Sequence, residues 1–244
     1  MEAIEAAGSA TAWLDAEVLL EEATGWSREK VAAEPDSKLP RGASRAFAEL
    51  VRRRVRREPV AYIVGRKGFR RIEVAVDRRV LIPRPETEQL VEVALELHPR
   101  AVLDVGTGSG ALALAVADEL PDAAIVATDT SAGALDQARE NADRLGFADR
   151  VRFERGTLPA GERFELLLAN LPYLSEGEWE GLQPEITDFE PRSALVAGPT
   201  GLEAIESLLA AVKVAEDRPG AVALEIGATQ GAAVSDLVRD AGYT

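Results

Sequence analysis

Apolar runs of strand length alternate with helical segments from about residue 86 to the end of the chain. Strands are predicted at 101–105, 123–128, 150–154, 164–169 and 221–226. Helices are predicted at about 86–97, 110–119, 131–145, 200–215 and from about 230. Helical crossovers between successive strands favour a mainly parallel sheet that is covered by helices on both faces. The sequence therefore predicts an α/β, Rossmann-like domain whose ligands bind at the carboxyl ends of the strands.

A different pattern precedes this region. Up to residue 64, apolar residues recur at helical spacing and predict two or three amphipathic helices. A polar segment with proline and glycine at 35–42 separates these helices. We therefore expect a small helical domain at 1–64, a linker or hairpin of short alternating runs at 65–85, and the α/β domain at 86–244.

The composition disfavours several functional classes. The chain has no cysteine, and His98 is its only histidine, so neither a Cys-His nucleophile nor a metal site is expected. Because we find no apolar run of about 18 residues or more and no basic-then-apolar leader pattern, we expect a cytoplasmic protein without a membrane partner. A formal net charge of -14 argues against nucleic acid as a direct partner.

The charge is divided unevenly along the chain. Residues 1–71 carry 14 basic and 11 acidic side chains, whereas residues 72–244 carry 14 basic and 31 acidic ones, which supports two modules. Arg52, Arg53, Arg54, Arg56 and Arg57 form a basic run. Charge runs most often indicate a solvated helix face, and the alternative interpretation is a docking face for a partner or its bound RNA.

A glycine-rich segment follows the first strand of the α/β domain. It contains Gly106, Thr107, Gly108, Ser109 and Gly110. Glycines permit a tight turn and a close approach of a ligand to the backbone, and the next helix offers free N–H groups. The segment predicts a nucleotide-like cofactor site, although it also fits the dinucleotide pattern of NAD enzymes and a purely structural turn.

Two acidic residues narrow the choice of cofactor. Asp104 ends the first strand, where a carboxylate suits the ammonium of an amino acid moiety and so favours S-adenosylmethionine. Asp129 ends the second strand, 23 residues after Gly106, where a carboxylate accepts hydrogen bonds from both ribose hydroxyls. Asp129 fits either cofactor, and its alternative interpretation is a turn or helix-cap residue before Ser131.

An amide, a proline and an aromatic ring follow the apolar strand at 164–169. The Asn170 side-chain oxygen and the Leu171 carbonyl are predicted to accept the two hydrogens of a planar NH2 group, which directs its lone pair at a sulfonium methyl. Tyr173, after Pro172, is predicted to stack on the planar group. These four residues are the candidate catalytic and substrate-binding residues, and Asn170 is also a candidate cofactor contact. The alternative interpretation is a strand-exit turn with a packed tyrosine.

Together these motifs resemble the release-factor glutamine N5-methyltransferases, the PrmC/HemK family. The resemblance covers nearly the whole chain, at 59–65, 81–88, 104–110, 170–173 and 189–191. Its most specific part is the Ile-Pro-Arg-Pro-Glu-Thr-Glu block at 82–88, which generic Asn-Pro-Pro-Tyr enzymes lack. The resemblance implies a class I methyltransferase sheet that uses S-adenosylmethionine. It also implies methylation of the glutamine in the Gly-Gly-Gln loop of class I peptide release factors, with the N-terminal helices gripping that protein.

The chain departs from the family pattern in three places. Leu171 stands where the family usually has proline, but the predicted acceptor is a backbone carbonyl, so we expect activity to be retained. Thr157 stands where relatives often have aspartate near the adenine, which leaves packing by Leu158 as the expected adenine contact. The chain stops at Thr244, where the family continues into two more strands, so we expect an exposed edge at the 221–226 strand.

Three other functions stay open on the sequence alone. The first is methylation of adenine N6 or another exocyclic amine in nucleic acid, which the net charge and the block at 82–88 disfavour. The second is a non-catalytic binding protein with this fold, which would bind the cofactor without transferring a methyl group. The third is an NAD-dependent dehydrogenase, in which an amide clamp has no evident use.

Overall fold

The computed structural model describes residues 1–34 and 36–244. Pro35, which begins the predicted polar break, lies outside the described residues. The chain divides into two compact units. One unit is Met1–Gly65 together with Gln183–Phe189, and the other is Arg66–Leu182 together with Glu190–Thr244. The sequence patterns do not predict that 183–189 clusters with the N-terminal residues.

The helices and strands follow the predicted order, with the ends in the α/β region shifted by up to three residues. The helices are α1 (Glu2–Ala6), α2 (Ala12–Thr24), α3 (Arg28–Ala33), α4 (Ala43–Val55), α5 (Val60–Val64), α6 (Glu88–Leu97), α7 (Ala111–Glu119), α8 (Ala132–Leu145), α9 (Glu176–Trp179), α10 (Pro184–Thr187), α11 (Glu203–Val214) and α12 (Gly231–Asp240). The strands are β1 (Arg66–Phe69), β2 (Ile72–Ala75), β3 (Ala101–Val105), β4 (Ala124–Asp129), β5 (Val151–Arg155), β6 (Leu166–Asn170), β7 (Leu174–Ser175), β8 (Val196–Gly198) and β9 (Ala221–Glu225).

The first unit is helical, as predicted, but its helices are shorter and more numerous than the two or three expected. Helices α2 and α4 pack against each other and against α1 and α5. Ile4, Leu19 and Ile63 are buried at the centre of this unit, and apolar residues of α4 pack around them. The apolar periodicity of α4 in the sequence thus marks the face that covers this core.

A buried arginine connects three segments of the first unit. The Arg54 side chain is only 6% exposed, and its Nε donates to Asp15 Oδ2 at 2.7 Å. Its terminal nitrogen also donates to the Ser9 hydroxyl at 2.9 Å and lies 2.8 Å from the Glu185 carboxylate. The interpretation of the basic run as a solvated helix face is wrong for Arg54, because buried acidic side chains distant in sequence surround it.

Other arginines of the same run divide between inward and outward positions. Arg53 pairs with Glu58 at 2.7 Å, and Arg57 pairs with Glu185. Arg52 and Arg56 are exposed, as a solvated helix face requires. The run therefore contributes mainly to the internal structure of the first unit.

The second unit is built on a parallel sheet in the order β5-β4-β3-β6-β9. Every neighbouring pair in this sheet is parallel, with β3 at the centre. The predicted α/β, parallel-sheet fold is confirmed. Among the described residues β9 pairs only with β6, so it lies at the edge of the described sheet. The expected hairpin is also present, because β1 and β2 pair antiparallel.

The helix after β3 is buried on all sides. Residues Ala111 to Ala117 of α7 are all buried, because this stretch contains only alanine, leucine and valine. A helix without a polar face suits a position between the sheet and other covering elements, and α7 contacts α6, β2 and β4. Its fixed position holds the glycine-rich segment that precedes it at the carboxyl end of β3. No helix among the described residues has both the length and the hydropathy that crossing a bilayer requires.

We predict that Arg54→Met destabilises the protein by about 3–5 kcal/mol, because it leaves the buried Asp15 carboxylate without its cation and removes one of the two arginines that pair with Glu185. Arg52→Met is the matched control, because Arg52 and its partner Glu49 are both more than half exposed. We expect the control to change stability by less than about 1 kcal/mol. Chemical denaturation followed by circular dichroism measures both, and equal effects of the two substitutions would contradict the structural role of Arg54.

Candidate functional site

A cavity of about 440 Å³ opens at the carboxyl ends of the sheet strands. Most of the predicted site residues line it, together with residues of α11. Its lining includes Gly106, Gly108, Asp129, Thr157, Asn170, Leu171, Pro172 and Ser207. A smaller cavity of about 60 Å³ shares Gly106, Gly108 and Asn170 and adds Thr87, Asp104, Thr107 and Ser109. A larger open depression of about 570 Å³ lies at the amino ends of β4 and β5, away from every predicted site residue.

The turn at Gly106 lies directly against the segment that follows β6. Gly106 has a φ of +76°, and its N–H donates to the Thr128 carbonyl at 2.8 Å. A Cβ at this position would lie 2.9 Å from Leu171 Cδ2, so the end of the leucine side chain would have to shift to admit it. The left-handed backbone therefore favours glycine here, and the close approach of Leu171 adds to that preference.

Asp129 is held by the backbone on both sides of its carboxylate. Its Oδ2 accepts from the Gly108 N–H at 3.0 Å, and its Oδ1 accepts from the Ser131 N–H at 2.8 Å. The second bond is the turn interaction considered as an alternative for this residue. Because each carboxylate oxygen has more than one acceptor direction, Asp129 keeps capacity for further donors while it lines the larger cavity.

Asp104 is buried beneath the glycine-rich segment. Its Oδ2 accepts from the Thr107 hydroxyl at 2.6 Å. Burial raises the pKa of Asp104 to about 7, against hydrogen bonds from Thr107 and from the Ala113 N–H that lower it; the Asp129 charge raises it further. Asp104 therefore titrates near neutral pH: it faces the smaller cavity mainly as a carboxylate above about pH 7 and mainly as a neutral acid below it.

A buried asparagine on α8 holds the loop between β3 and α7 in place. Asn141 of α8 donates to the carbonyls of Ser109 and Ala75, each at 2.9 Å, and accepts from the Ala75 N–H at 2.7 Å. Gly110, the residue before α7, has a φ of +81°. The Asn141 contact fixes the backbone of the glycine-rich segment at Ser109.

Asn170 is the point at which the two cavities meet. It ends β6, and its register partner on β9 is Glu225. Its Nδ2 donates to the Thr87 hydroxyl oxygen at 2.8 Å, and that hydroxyl donates to Glu225 Oε2 at 2.6 Å. The Asn170 side chain is thus oriented by a hydrogen-bonded chain that begins at the neighbouring strand.

The partly buried Glu225 carboxyl receives several hydrogen bonds. Burial raises its pKa, and the nearby Glu86 charge adds to this, while hydrogen bonds from Thr87, Tyr173 and Asn170 lower it. The Tyr173 hydroxyl lies 3.5 Å from Glu225 Oε1, and burial together with the Glu225 charge raises the pKa of Tyr173. Tyr173 therefore keeps its proton and points it at the carboxylate.

The backbone after Tyr173 is fixed by a glutamine. Gln230 donates through Nε2 to the Tyr173 carbonyl at 2.8 Å and to the Gly201 carbonyl at 3.1 Å. Its Oε1 accepts from the Gly227 N–H at 2.8 Å. A Cβ at Gly201 would lie 2.6 Å from the Tyr173 carbonyl oxygen, so this packing again needs glycine. These contacts hold the exit from β6 in one conformation.

The segment that leads into α6 is held by a buried glutamate. Glu190, whose side chain is 2% exposed, accepts from the Ile82 N–H at 3.0 Å and from Arg84 at 2.6 Å. Arg84 and Leu81 line the smaller cavity. Two segments of the family resemblance, the specific block at 82–88 and the segment at 189–191, therefore meet through this carboxylate.

The two residues after Gly156 have different surroundings. Thr157 lines the larger cavity, and its carbonyl accepts from the Thr128 hydroxyl at 2.9 Å. Leu158 packs against the buried cluster that contains Leu103 and Phe164. The expected adenine contact of Leu158 stays a prediction, and the structure offers Thr157 as a neighbouring candidate.

Sequence reasoning did not assign roles to Thr87, Glu190, Glu225 and Gln230. Thr87 and Glu190 stand inside motifs that were noted only for their resemblance to a family. Glu225 ends an otherwise apolar strand of the sequence Ala-Val-Ala-Leu-Glu. The other predicted strand ends at Asp104, Asp129 and Asn170 were interpreted as site residues, and the same criterion applied to β9 would have found Glu225.

Comparison with known proteins agrees with this geometry. The family model described as PrmC N-terminal domain matches residues 1–65, and the one described as Methyltransferase domain matches residues 102–188. "Release factor glutamine methyltransferase" of Xylella fastidiosa (strain Temecula1 / ATCC 700964) is 44% identical over 94% of this chain and 85% of the relative. The protein of the same name from Nitratidesulfovibrio vulgaris is 42% identical over 96% of this chain and 82% of the relative.

A solved structure supports the fold independently. The hMettl16 catalytic domain in complex with MAT2A 3'UTR hairpin 6 has a TM-score of 0.57, with 15% identity, and the match covers 70% of this chain and 67% of that one. At this identity the likeness concerns the fold alone.

The fold and the site thus define a class I methyltransferase. The chain belongs to the release factor glutamine methyltransferase family, on the identity and coverage of its relatives. The predicted class of enzyme, dependent on S-adenosylmethionine, is confirmed at this level. The nucleic-acid methyltransferase, non-catalytic and dehydrogenase alternatives are not favoured by these relatives.

We predict that Gly106→Ala destabilises the protein more than Gly146→Ala does. The two glycines have nearly the same φ, +76° at Gly106 and +78° at Gly146, but a Cβ at Gly146 would meet nothing within 4 Å. Gly146→Ala therefore reports the backbone cost alone, about 1–2 kcal/mol, whereas Gly106→Ala adds the clash with Leu171.

A double-mutant cycle isolates that clash. Leu171→Ala should cost less in the Gly106→Ala protein than in the wild type, because it removes the atoms that a new Cβ would strike. Thermal and denaturant unfolding of the four proteins measure the coupling. Strict additivity would contradict the close packing of Gly106 and Leu171.

Proposed function

We propose that this protein transfers the methyl group of S-adenosylmethionine to the side-chain amide N5 of the glutamine in the Gly-Gly-Gln loop of class I peptide release factors. The observation that carries the proposal is the position of Asn170, whose amide is fixed by Thr87 where the two cavities meet. We infer the substrate from the relatives, which are named release factor glutamine methyltransferases. Class I release factors are thus the proposed partners, with the cytoplasm as the compartment and no direct contact with nucleic acid or membrane.

The residues around the larger cavity fit the proposed cofactor. Its volume of about 440 Å³ lies within the usual range of small-molecule sites, about 300–1,000 Å³. At Gly108 a Cβ would meet nothing within 4 Å, so the backbone there is open to a ligand; Asp129 offers acceptors for ribose hydroxyls, and Asp104, in the smaller cavity, offers a carboxylate for the ammonium. Thr107, Ser109, Gly110, Leu158 and Asn170 complete the proposed cofactor-binding set.

S-adenosylmethionine supplies an electrophilic methyl group on a sulfonium when it is bound. An amide nitrogen is a weak nucleophile, because its lone pair is delocalised into the carbonyl. Asn170 and the Leu171 carbonyl are proposed to accept its two hydrogens and so hold the lone pair in line with the methyl carbon. Such positioning lowers a barrier by up to about 7–11 kcal/mol without a strong base. As the new N–C bond forms, the bond between sulfur and the methyl carbon breaks and its electron pair stays on sulfur, while the amide nitrogen passes one proton to solvent.

The two remaining residues of the proposed substrate site shape the pocket. Pro172 lines the larger cavity and fixes the backbone that follows the Leu171 carbonyl. Tyr173 is proposed to cover the planar amide of the substrate, with its hydroxyl kept at Glu225. Because the proposed acceptor at Leu171 is a main-chain oxygen, its leucine side chain is compatible with the reaction.

The direct test is transfer of a labelled methyl group to a purified class I release factor, with mass spectrometry to locate the modified residue. We expect the methyl on the glutamine of the Gly-Gly-Gln loop, and none on a release factor that carries alanine there. Methylation of any other residue, or of the alanine variant to the same extent, would overturn the proposed substrate.

We predict that Asn170→Ala lowers the transfer rate on the order of 100-fold or more, because the acceptor that orients the amide is lost. Affinity for the cofactor should stay within a few-fold, as expected for an interaction used mainly in the transition state. Single-turnover kinetics and calorimetric titration measure the two quantities. Equal losses of transfer and of cofactor affinity would argue against this role for Asn170.

Cofactor affinity should also depend on pH through Asp104. The ammonium of the cofactor needs an ionised carboxylate, and the Asp104 pKa of about 7 means that protonation competes below that pH. We therefore expect affinity to fall as pH decreases from 8 to 6. Asp104→Asn should weaken binding about 10- to 100-fold at pH 8, from the loss of a charge-assisted hydrogen bond, and should remove this pH dependence. A pH dependence that persists in the variant would exclude Asp104 as its source.

A further inference from the structure

Glu225 stands at the start of a hydrogen-bonded chain that ends at the proposed substrate site. It lies beside Asn170 across the β6–β9 ladder, and Thr87 connects the two side chains. The Thr87 oxygen is 2.6 Å from Glu225 Oε2 and 2.8 Å from Asn170 Nδ2. Three segments distant in sequence therefore meet at one hydroxyl group.

The donor-to-acceptor direction of these hydrogen bonds follows from the Glu225 carboxylate, which accepts the first of them. An ionised carboxylate has no proton to donate, so the single proton of the Thr87 hydroxyl must go to Glu225. The Thr87 oxygen then has only acceptor capacity left for Asn170, which must present its NH2 group to Thr87. The Asn170 oxygen consequently faces the opposite direction, and Asn170 lines both cavities.

We propose that Glu225 acts through Thr87 as a positioning residue that fixes which end of the Asn170 amide faces the substrate. This inference rests on the proposed function, because it concerns the acceptor that the glutamine amide needs. The oxygen and NH2 ends of the asparagine amide have nearly the same shape, so packing alone does not decide which end faces the substrate. In the flipped orientation the Asn170 NH2 group would face the NH2 group of the substrate glutamine, and two donors cannot form a hydrogen bond.

Glu225 does not act as the base in this arrangement. Thr87 and Asn170 line the smaller cavity, whereas Glu225 is not among the described residues that line either cavity. Its carboxylate oxygens are engaged by the Thr87 and Tyr173 hydroxyls, and the Asn170 amide also donates to the carboxylate. Its influence on the reaction therefore passes through the orientation of Asn170 and Tyr173.

Three substitutions separate polarity from packing. Glu225→Gln keeps the shape of the side chain but can donate to Thr87, which lets the hydroxyl donate to Asn170 and reverses the amide. Thr87→Val keeps the volume and removes the hydroxyl, while Thr87→Ser keeps the hydroxyl. The matched control is Glu119→Gln, which changes a mostly buried carboxylate paired with Arg70 outside both cavities.

We expect kcat for methylation of the release factor to fall on the order of 100-fold in Glu225→Gln and Thr87→Val, with cofactor affinity changed less than about 3-fold. Thr87→Ser should retain kcat within about 3-fold, and Glu119→Gln should resemble the wild type. If Thr87→Ser loses as much activity as Thr87→Val, or if Glu225→Gln keeps full kcat, the proposal is overturned.

A second measurement does not depend on the substrate. The side-chain NH2 resonances of Asn170 in ¹⁵N-labelled protein can be assigned by their loss in Asn170→Ala. They should shift in Glu225→Gln and Thr87→Val and return close to the wild-type position in Thr87→Ser. Unchanged resonances would overturn the inference even if the wild type methylates the release factor. If the wild type transfers no methyl but the resonances shift as expected, the proposed function fails and the positioning role stands.

Discussion

The close approach of two chain segments at the carboxyl edge of the sheet determines the geometry of the site. The turn after β3 passes so close to Leu171, which follows β6, that a Cβ at Gly106 would displace the leucine side chain. Parallel strands place these segments side by side, because their carboxyl ends lie at the same edge. The cavity proposed for the cofactor and the acceptor proposed for the substrate amide are consequently built from the same contact. A shift in either segment would change both at once.

Buried and partly buried carboxylates hold the surroundings of that contact. Glu190 fixes the segment before α6, Asp104 lies beneath the glycine-rich turn, and Glu225 begins the chain to Asn170. Each is satisfied by several hydrogen bonds, which is the condition for a charged group to be tolerated away from water. In the first unit, Asp15 and Glu185 have the same relation to Arg54. Polar groups thus specify the conformation of segments that apolar packing alone would leave free to shift.

The sheet and its helices were predictable from the sequence because apolar periodicity reflects local geometry. The strand ends at Asp129 and Asn170 were predictable for the same reason, since polar residues there terminate apolar runs. Burial of Arg54 was not, because its partner Glu185 is more than a hundred residues away and a basic run has the local pattern of an exposed face. The link from Thr87 to Glu225 was also not predictable, because β9 follows β6 in the sheet but lies about 50 residues later in the sequence.

The central claim is that the Asn170 oxygen and the Leu171 carbonyl together hold the NH2 group of a glutamine side chain. A crystal structure of this protein with S-adenosylhomocysteine and a peptide containing Gly-Gly-Gln tests it most directly. We predict that the glutamine nitrogen lies within about 3.2 Å of both oxygens. A glutamine nitrogen bound to other groups, or an Asn170 whose NH2 faces the peptide, would contradict the account.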